Sequence, residues 1–165
     1  MRVRLARGTD SRAIETIRVR GWQTAYRHVF PVDELDALPV DDERWRSRLT
    51  DPPPGWSTFV VEDGDGRVAG FSSVGPSRDE RGLGELYAIY VDPAAWSTGA
   101  GRALIERAEE QLRAEYDVAT LWVLEDNPRA RRFYERAGWT PDGARKAEER
   151  WGVRAPEVRY RKELA

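Results

Sequence analysis

Apolar and polar positions along this chain follow two rhythms, a period of two in some stretches and of three to four in others. Arg2 to Arg7 alternates charged and apolar residues, as a half-buried strand would. Thr9 or Asp10 can cap the helix that follows, and Ile14, Ile17, Trp22 and Tyr26 fall toward one side of it before Pro31 interrupts. Val32–Leu38 and Asp41–Leu49 read as two short helices, the second carrying Trp45. Asp51-Pro-Pro-Pro-Gly55 is a stiff connector, with too little chain on either side to mark a domain boundary. Thr58–Glu62 and Arg67–Val74 are strands joined by the hairpin signal Asp63-Gly-Asp-Gly66, and Ser77–Gly84 is a polar loop.

The next stretch organises the rest. Leu86, Tyr87, Ile89, Tyr90 and Val91 form an almost unbroken strand signal that Pro93 ends. Ser97-Thr98-Gly99-Ala100-Gly101 is a turn of small residues. Ala103, Leu104, Ala108 and Leu112 then recur at helical spacing, in a helix expected to reach about Tyr116. Ala119–Leu124 reads as a buried strand. Asn127-Pro128 opens a helix that Gly138 closes, with Asn as cap and Pro in the first helical position. Trp139–Glu149 is a strand and turn, and Val153–Lys162 a last strand with Val158 and Tyr160 on one face. The succession of a strand, a helical region, three strands and then α, β, α, β, β predicts an α/β protein: one mixed sheet with helices packed on it, in one domain over residues 1–165.

Composition narrows the chemistry. With 165 residues, 34% charged and 40% apolar, the chain suits a soluble globular domain. A net charge of −2 gives no global basic field for nucleic acid. There is no cysteine and a single histidine, His28, so a disulfide framework, a cysteine nucleophile and a metal site are not expected. No apolar run is long enough to span a membrane and the N-terminus lacks an apolar signal core, so a cytoplasmic location is expected.

Strand, glycine turn, helix is an arrangement that binds anions. The first amides of a helix lack internal partners and sit at its positive end, and glycines let an anion approach the backbone. Arg102 adds a cation in the first turn, unfavourable there unless an anion lies nearby. No Lys-Ser/Thr follows the second glycine, so this is not a P-loop, and the glycine spacing does not suit a dinucleotide fold. A plain tight turn would explain the same residues.

Two stretches resemble the motifs of one family. Val91-Asp92-Pro93, followed by the loop Trp96-Ser97-Thr98-Gly99-Ala100-Gly101 and a helix, resembles motif A of the GNAT (GCN5-related) N-acetyltransferases. It departs from that motif at Trp96, where the family has Gln or Arg. Asn127, then Phe133-Tyr134-Glu135, then Gly138-Trp139 is similar to motif B. The resemblance covers nearly the whole chain. It implies a GNAT-type acyl-CoA N-acyltransferase fold with a mixed, mostly antiparallel central sheet flanked by helices. It implies acetyl-CoA as cosubstrate, no metal, and acetyl transfer to the primary amine of a small molecule by direct attack in a ternary complex. Two alternatives stay open: a regulatory acetyl-CoA-binding module without turnover, and an acetyltransferase for protein N-termini or lysines. A homodimer is compatible with it.

The same resemblance implies roles. Ser97, Thr98, Gly99, Ala100, Gly101 and Arg102 would take the pyrophosphate. Ile89, Tyr90 and Val91 would pair along the pantetheine arm, with the Val91 N–H as oxyanion donor. Asn127 would contact the arm, and Tyr134 would protonate the leaving thiolate. Trp122 stands where some relatives carry a glutamate base, which leaves Glu85 or a water relay as base. Residue by residue, simpler readings stand beside these: Asn127 as a cap, Tyr134, Trp22, Tyr26, Trp45 and Trp56 as core, Glu85 as a solvated strand-end acid, and Arg129, Arg131, Arg132 and Arg136 as a solvated face. Residues 22–38 and loop 77–84 would build the acceptor site.

Overall fold

The computed structural model describes residues 1–165. Its strands are β1 (Arg2–Leu5), β2 (Ser57–Glu62), β3 (Val68–Pro76), β4 (Gly84–Val91), β5 (Val118–Leu124), β6 (Thr140–Arg150) and β7 (Val153–Glu163). Its helices are α1 (Ser11–Ala25), α2 (Val32–Asp36), α3 (Glu43–Thr50), α4 (Ala100–Arg113) and α5 (Pro128–Arg136). All seven strands join one sheet in the order β1-β2-β3-β4-β5-β7-β6. Only β4 and β5 run parallel; the other pairs are antiparallel. The expected mixed sheet flanked by helices is therefore present. β1 stops at Leu5, short of the predicted Arg7, because Gly8–Asp10 forms a single 3-10 turn whose start is tied by the Arg7 N–H donating to the Asp10 carboxylate at 2.7 Å.

The larger core lies between the sheet and α4. Leu104, Ile105, Ala108 and Leu112 present a helical stripe to Phe59, Val61, Leu86 and Leu121. Tyr134, Trp139, Val158 and Tyr160 continue that core under α5. On the opposite face, Ile14 and Ile17 of α1 and Trp45 of α3 pack on Val60 and Phe71.

One irregularity shapes the centre of the sheet. Ser73 lies opposite Ala88 but Val74 lies opposite Leu86, so Tyr87 is an extra, bulged residue. The bulge inverts the side-chain phase of β4. Before it Leu86 faces α4; after it Ile89 and Val91 do, while Ala88 and Tyr90 turn to the α1 side. The parallel pairing of β4 with β5 is limited to Gly84–Ala119 and Glu85–Thr120. Beyond Glu85 the two strands part, and a cleft opens between them.

Candidate active site

The cleft is about 730 Å³ in volume, within the range of small-molecule sites. The parted strands β4 and β5 form its back. The turn before α4 and the first turns of α5 form one end. The last turn of α1, with the residues after it, and the β6–β7 ladder form the other.

The open side of β4 has free backbone groups. The Asp92 N–H donates to the Ala69 carbonyl at 2.8 Å, which sets the alternation of the antiparallel ladder. Ala88 and Tyr90 thus direct their backbone groups to β3, and Ile89 and Val91 direct theirs into the gap. Of the three residues expected to pair with a ligand, Tyr90 offers only its ring, whose hydroxyl accepts from the Trp22 indole N–H at 2.9 Å. The Val91 carbonyl accepts from the Trp96 indole N–H at 3.0 Å, which leaves the Val91 N–H as the unengaged group.

At the α4 end, Ser97 has φ 61° and Gly99 φ 93°, the left-handed conformations that curl a backbone into an anion-binding concavity. The ladder of α4 begins with the Ala103 N–H donating to the Gly99 carbonyl, so the amides of Ala100, Gly101 and Arg102 precede it and lack internal partners. A Cβ on Gly99 would meet nothing within 4 Å, whereas one on Gly101 would press on Phe133 at 3.2 Å. The turn is bare, as close approach by a phosphate requires. Ser97, Gly99, Gly101 and Arg102 line the cleft. Thr98 and Ala100 do not: the Thr98 hydroxyl donates to the Ala95 carbonyl, and Ala100 packs into the core. Arg102 is exposed and pairs with Glu106 at 2.8 Å. Trp96 carries the guanidinium of Arg129 over its ring at 3.5 Å, so α5 supplies a cation beside the loop position that lacks one.

Tyr134 is buried at the junction, packed on Phe133 and Tyr160, and its hydroxyl bonds to no protein group. Burial raises its pKa, with the neighbouring Tyr90 adding to the effect. Asn127 caps α5 by accepting from the Ala130 N–H at 3.1 Å, and its amide donates to the Tyr26 hydroxyl at 3.3 Å. Arg131 is not part of a solvated face; it donates to the Tyr160 hydroxyl at 3.0 Å and to the Glu125 carbonyl at 3.1 Å.

Glu85 corrects an expectation. It is neither a solvated acid nor a cleft residue: it is fully buried, on the opposite face from α4, and accepts from the Arg78 backbone N–H at 2.9 Å and the Arg78 Nε at 3.1 Å. The phase inversion at Tyr87 accounts for this, since residue 85 lies on the far side of the bulge from Ile89 and Val91. Loop 77–84 likewise stays outside the cleft, held against the sheet by Asp79 accepting from the Trp122 indole and Glu80 pairing with Arg159.

Trp22, Tyr26 and Phe30 wall the far end, with Trp22 stacked on Phe30 at 5.6 Å and Tyr26 edge-on to both. Trp45 is core, and Trp56, which does not line the cleft, stacks on Tyr87, which does. His28 reaches the Asp126 carbonyl at 2.8 Å across the cleft mouth. The opposite wall is absent from the sequence reading: Glu148 and Arg150 of β6 with Ala155 and Glu157 of β7. The signal was there, since residues 146, 148 and 150 share one face of a strand and pair with 157, 155 and 153. It looks like a solvated face because Val158 and Tyr160 mark the other face as core.

Comparisons with known proteins agree with this geometry. A profile described as the Acetyltransferase (GNAT) family matches residues 18–139. The uncharacterized N-acetyltransferase YuaI of Bacillus subtilis (strain 168) is 37% identical over 94% of this chain and 89% of its own. The mycothiol acetyltransferase of Beutenbergia cavernae is 38% identical over 66% of this chain and 36% of its own, so the chain spans about a third of that relative. Among solved structures, yncA from Salmonella typhimurium, determined with its cofactor acetyl-CoA, has a TM-score of 0.75 at 24% identity, covering 100% of this chain and 94% of that one. Fold and relatives together define an acyltransferase. The chain belongs to the GNAT family of acetyltransferases.

Proposed function

We propose that this acetyltransferase moves the acetyl group of acetyl-CoA to the primary amine of a small molecule, by direct attack within a ternary complex. One observation carries the reading: a single cleft joins the bare turn before α4, the free edge of β4, the Tyr134 hydroxyl and an aromatic end large enough for a second ligand. In this reading the backbone of Ser97, Gly99, Gly101 and Arg102 holds the pyrophosphate and Arg129 on Trp96 adds charge nearby. Ile89 and Val91 pair with the pantetheine arm, and the Val91 N–H donates to the oxygen on which negative charge develops. Tyr134 gives its proton to the departing thiolate. Asn127 holds Tyr26 and the start of α5 in place beside the arm. Glu85 acts as a positioning residue that anchors Arg78.

The walls on three sides of the far end favour a small acceptor over a folded protein surface. The test is initial-rate kinetics with acetyl-CoA and a panel of primary amines, read by thiol release and product mass. Lines that intersect in double-reciprocal plots support the ternary complex. Parallel lines, or an acetylated enzyme isolated without amine, would overturn direct attack. Acetyl-CoA binding without transfer to any amine would favour the regulatory module.

A further inference from the structure

The geometry points to Glu157 as the carboxylate that receives the acceptor's ammonium group and takes its proton; this deepens the reading above and rests on it. Glu157 sits mid-strand in β7, opposite Leu124 of β5 and Lys146 of β6, and opens on the cleft. Its Oε2 is sealed from solvent and has no hydrogen-bond partner. Lys146 Nζ stands 4.0 Å away, beyond hydrogen-bond reach, and lies over the Trp122 ring at 4.4 Å. A buried carboxylate oxygen without a donor is costly and leaves this carboxylate short of stabilising partners; with Oε2 sealed, a ligand in the cleft would meet it through Oε1. An alkylammonium is the matching ligand. It brings several N–H donors and a positive charge; Trp22, Tyr26 and Phe30 line the far end of the same cleft, where the Arg150 guanidinium already lies over the Trp22 ring at 4.8 Å.

The other acids of the region are engaged or hydrated. Glu85 is held by Arg78, and Glu148 is exposed. The charged groups that act on Glu157 are Lys146 and Glu148 on β6 and Arg78 before β4, and its own charge in turn raises the phenols of Tyr26 after α1 and Tyr90 on β4. Burial is the largest effect and Glu148 adds to it. Together they outweigh Lys146 and Arg78, so the Glu157 carboxyl lies above the usual range and is a stronger base than a surface glutamate.

The proton balance closes. R–NH₃⁺ gives one proton to the Glu157 carboxylate and becomes R–NH₂. The nitrogen lone pair forms the C–N bond at the thioester carbonyl, the C–S bond breaks, and the thiolate takes the Tyr134 proton. The nitrogen loses its second proton, which restores Tyr134. Glu157 releases its proton to solvent as the amide and the free thiol leave.

The test pairs basic amines with weakly basic analogues of the same shape, such as 2-phenylethylamine with its β,β-difluoro derivative. An amine already neutral at pH 7 needs no base. Glu157→Gln should lower kcat/KM for the basic member by about 10²-fold at pH 7. The loss should shrink as pH rises toward 9, and the difluoro member should be nearly unaffected. Glu157→Asp, which retracts the carboxylate by one methylene, should lose about 10-fold on the basic member alone, and it serves if the Gln variant does not fold. Equal losses on both members, or an unchanged rate on the basic one, would overturn the assignment of Glu157 while the transferase reading stands. Wild-type enzyme that acetylates no amine of the panel would overturn the transferase reading and this assignment with it.

Discussion

Tyr134 is 8% exposed and lines the cleft, packed between Phe133 and Tyr160. A general acid must hold its proton until the leaving group needs it. Burial raises this phenol above its ordinary value, so it stays protonated through neutral and mildly alkaline pH. The rate should therefore show no alkaline fall attributable to Tyr134 below about pH 10. Tyr134→Phe keeps the ring against Phe133 and Tyr160 and removes only the proton. Turnover should drop by about 10²–10³, while acetyl-CoA affinity by calorimetry and the melting temperature stay near wild type. A Phe variant with full turnover, on an acceptor for which chemistry limits the rate, would make Tyr134 a packing residue. Its position was legible because it depends on local facts: a capped helix, and two turns from Asn127 to Tyr134. Glu85 was misread because its direction depends on the bulge at Tyr87, and nothing in Glu85–Val91 announces an extra residue. The bulge is set by pairing with β3, through Val74 opposite Leu86.

The turn before α4 works as an element, and its two glycines have different duties. Gly99 adopts φ 93°, which an L side chain resists by about 1–2 kcal/mol. Gly101 has ordinary helical geometry but lies against Phe133 of α5, so a side chain there must push into the contact between the two helices. Gly101→Val should raise the Kd for acetyl-CoA by at least about 10-fold, because it crowds the amides of the first turn and displaces Phe133 beside Tyr134. Calorimetry on the folded variant is the check, and unchanged affinity would remove this turn from the binding site. The turn, the cap of α5 and the hairpin between β2 and β3 were all readable, since glycine, asparagine and proline act on their own backbone. The far wall of the cleft was not. It exists because β7 inserts between β5 and β6, and that order is fixed by long-range pairing which leaves no local trace. Trp96 shows the same limit. Its indole bonds back to Val91 and its face holds Arg129, a contact 33 residues away in sequence that puts a cation beside the loop position where the family motif has Gln or Arg.

Across the whole molecule, two glutamates lie on the same side of the sheet with opposite effects on stability. Glu85 is fully buried but answered by Arg78, whose backbone and guanidinium both donate to it. Glu85→Gln replaces an acceptor of charged donors with a weaker one. It should lower stability at pH 7 by about 1–3 kcal/mol, or about 2–4 °C in melting temperature per kcal/mol. Glu157 has only Lys146, 4.0 Å away, and no hydrogen-bond donor on its Oε2. Its pKa in the folded chain is raised, mainly by burial, so the folded chain holds this proton more tightly than the unfolded one. The resulting contribution to stability is complete below the unfolded carboxylate value, near 4.3, and is lost as pH rises through the folded value. At pH 7 the wild-type fold therefore contains a poorly solvated charge that Glu157→Gln removes. The variant should melt about 1–4 °C above wild type at pH 7, with the gap closing as pH falls through the carboxylate range. The same substitution that slows acetylation of a basic amine should thus make the protein harder to unfold, as expected when a fold retains an unfavourable group for its chemistry. Calorimetric melting of both variants from pH 4 to pH 8 reads the two signs. A Glu157→Gln protein less stable than wild type at pH 7 would mean that Lys146 already satisfies the carboxylate, and would remove the physical basis for its basicity.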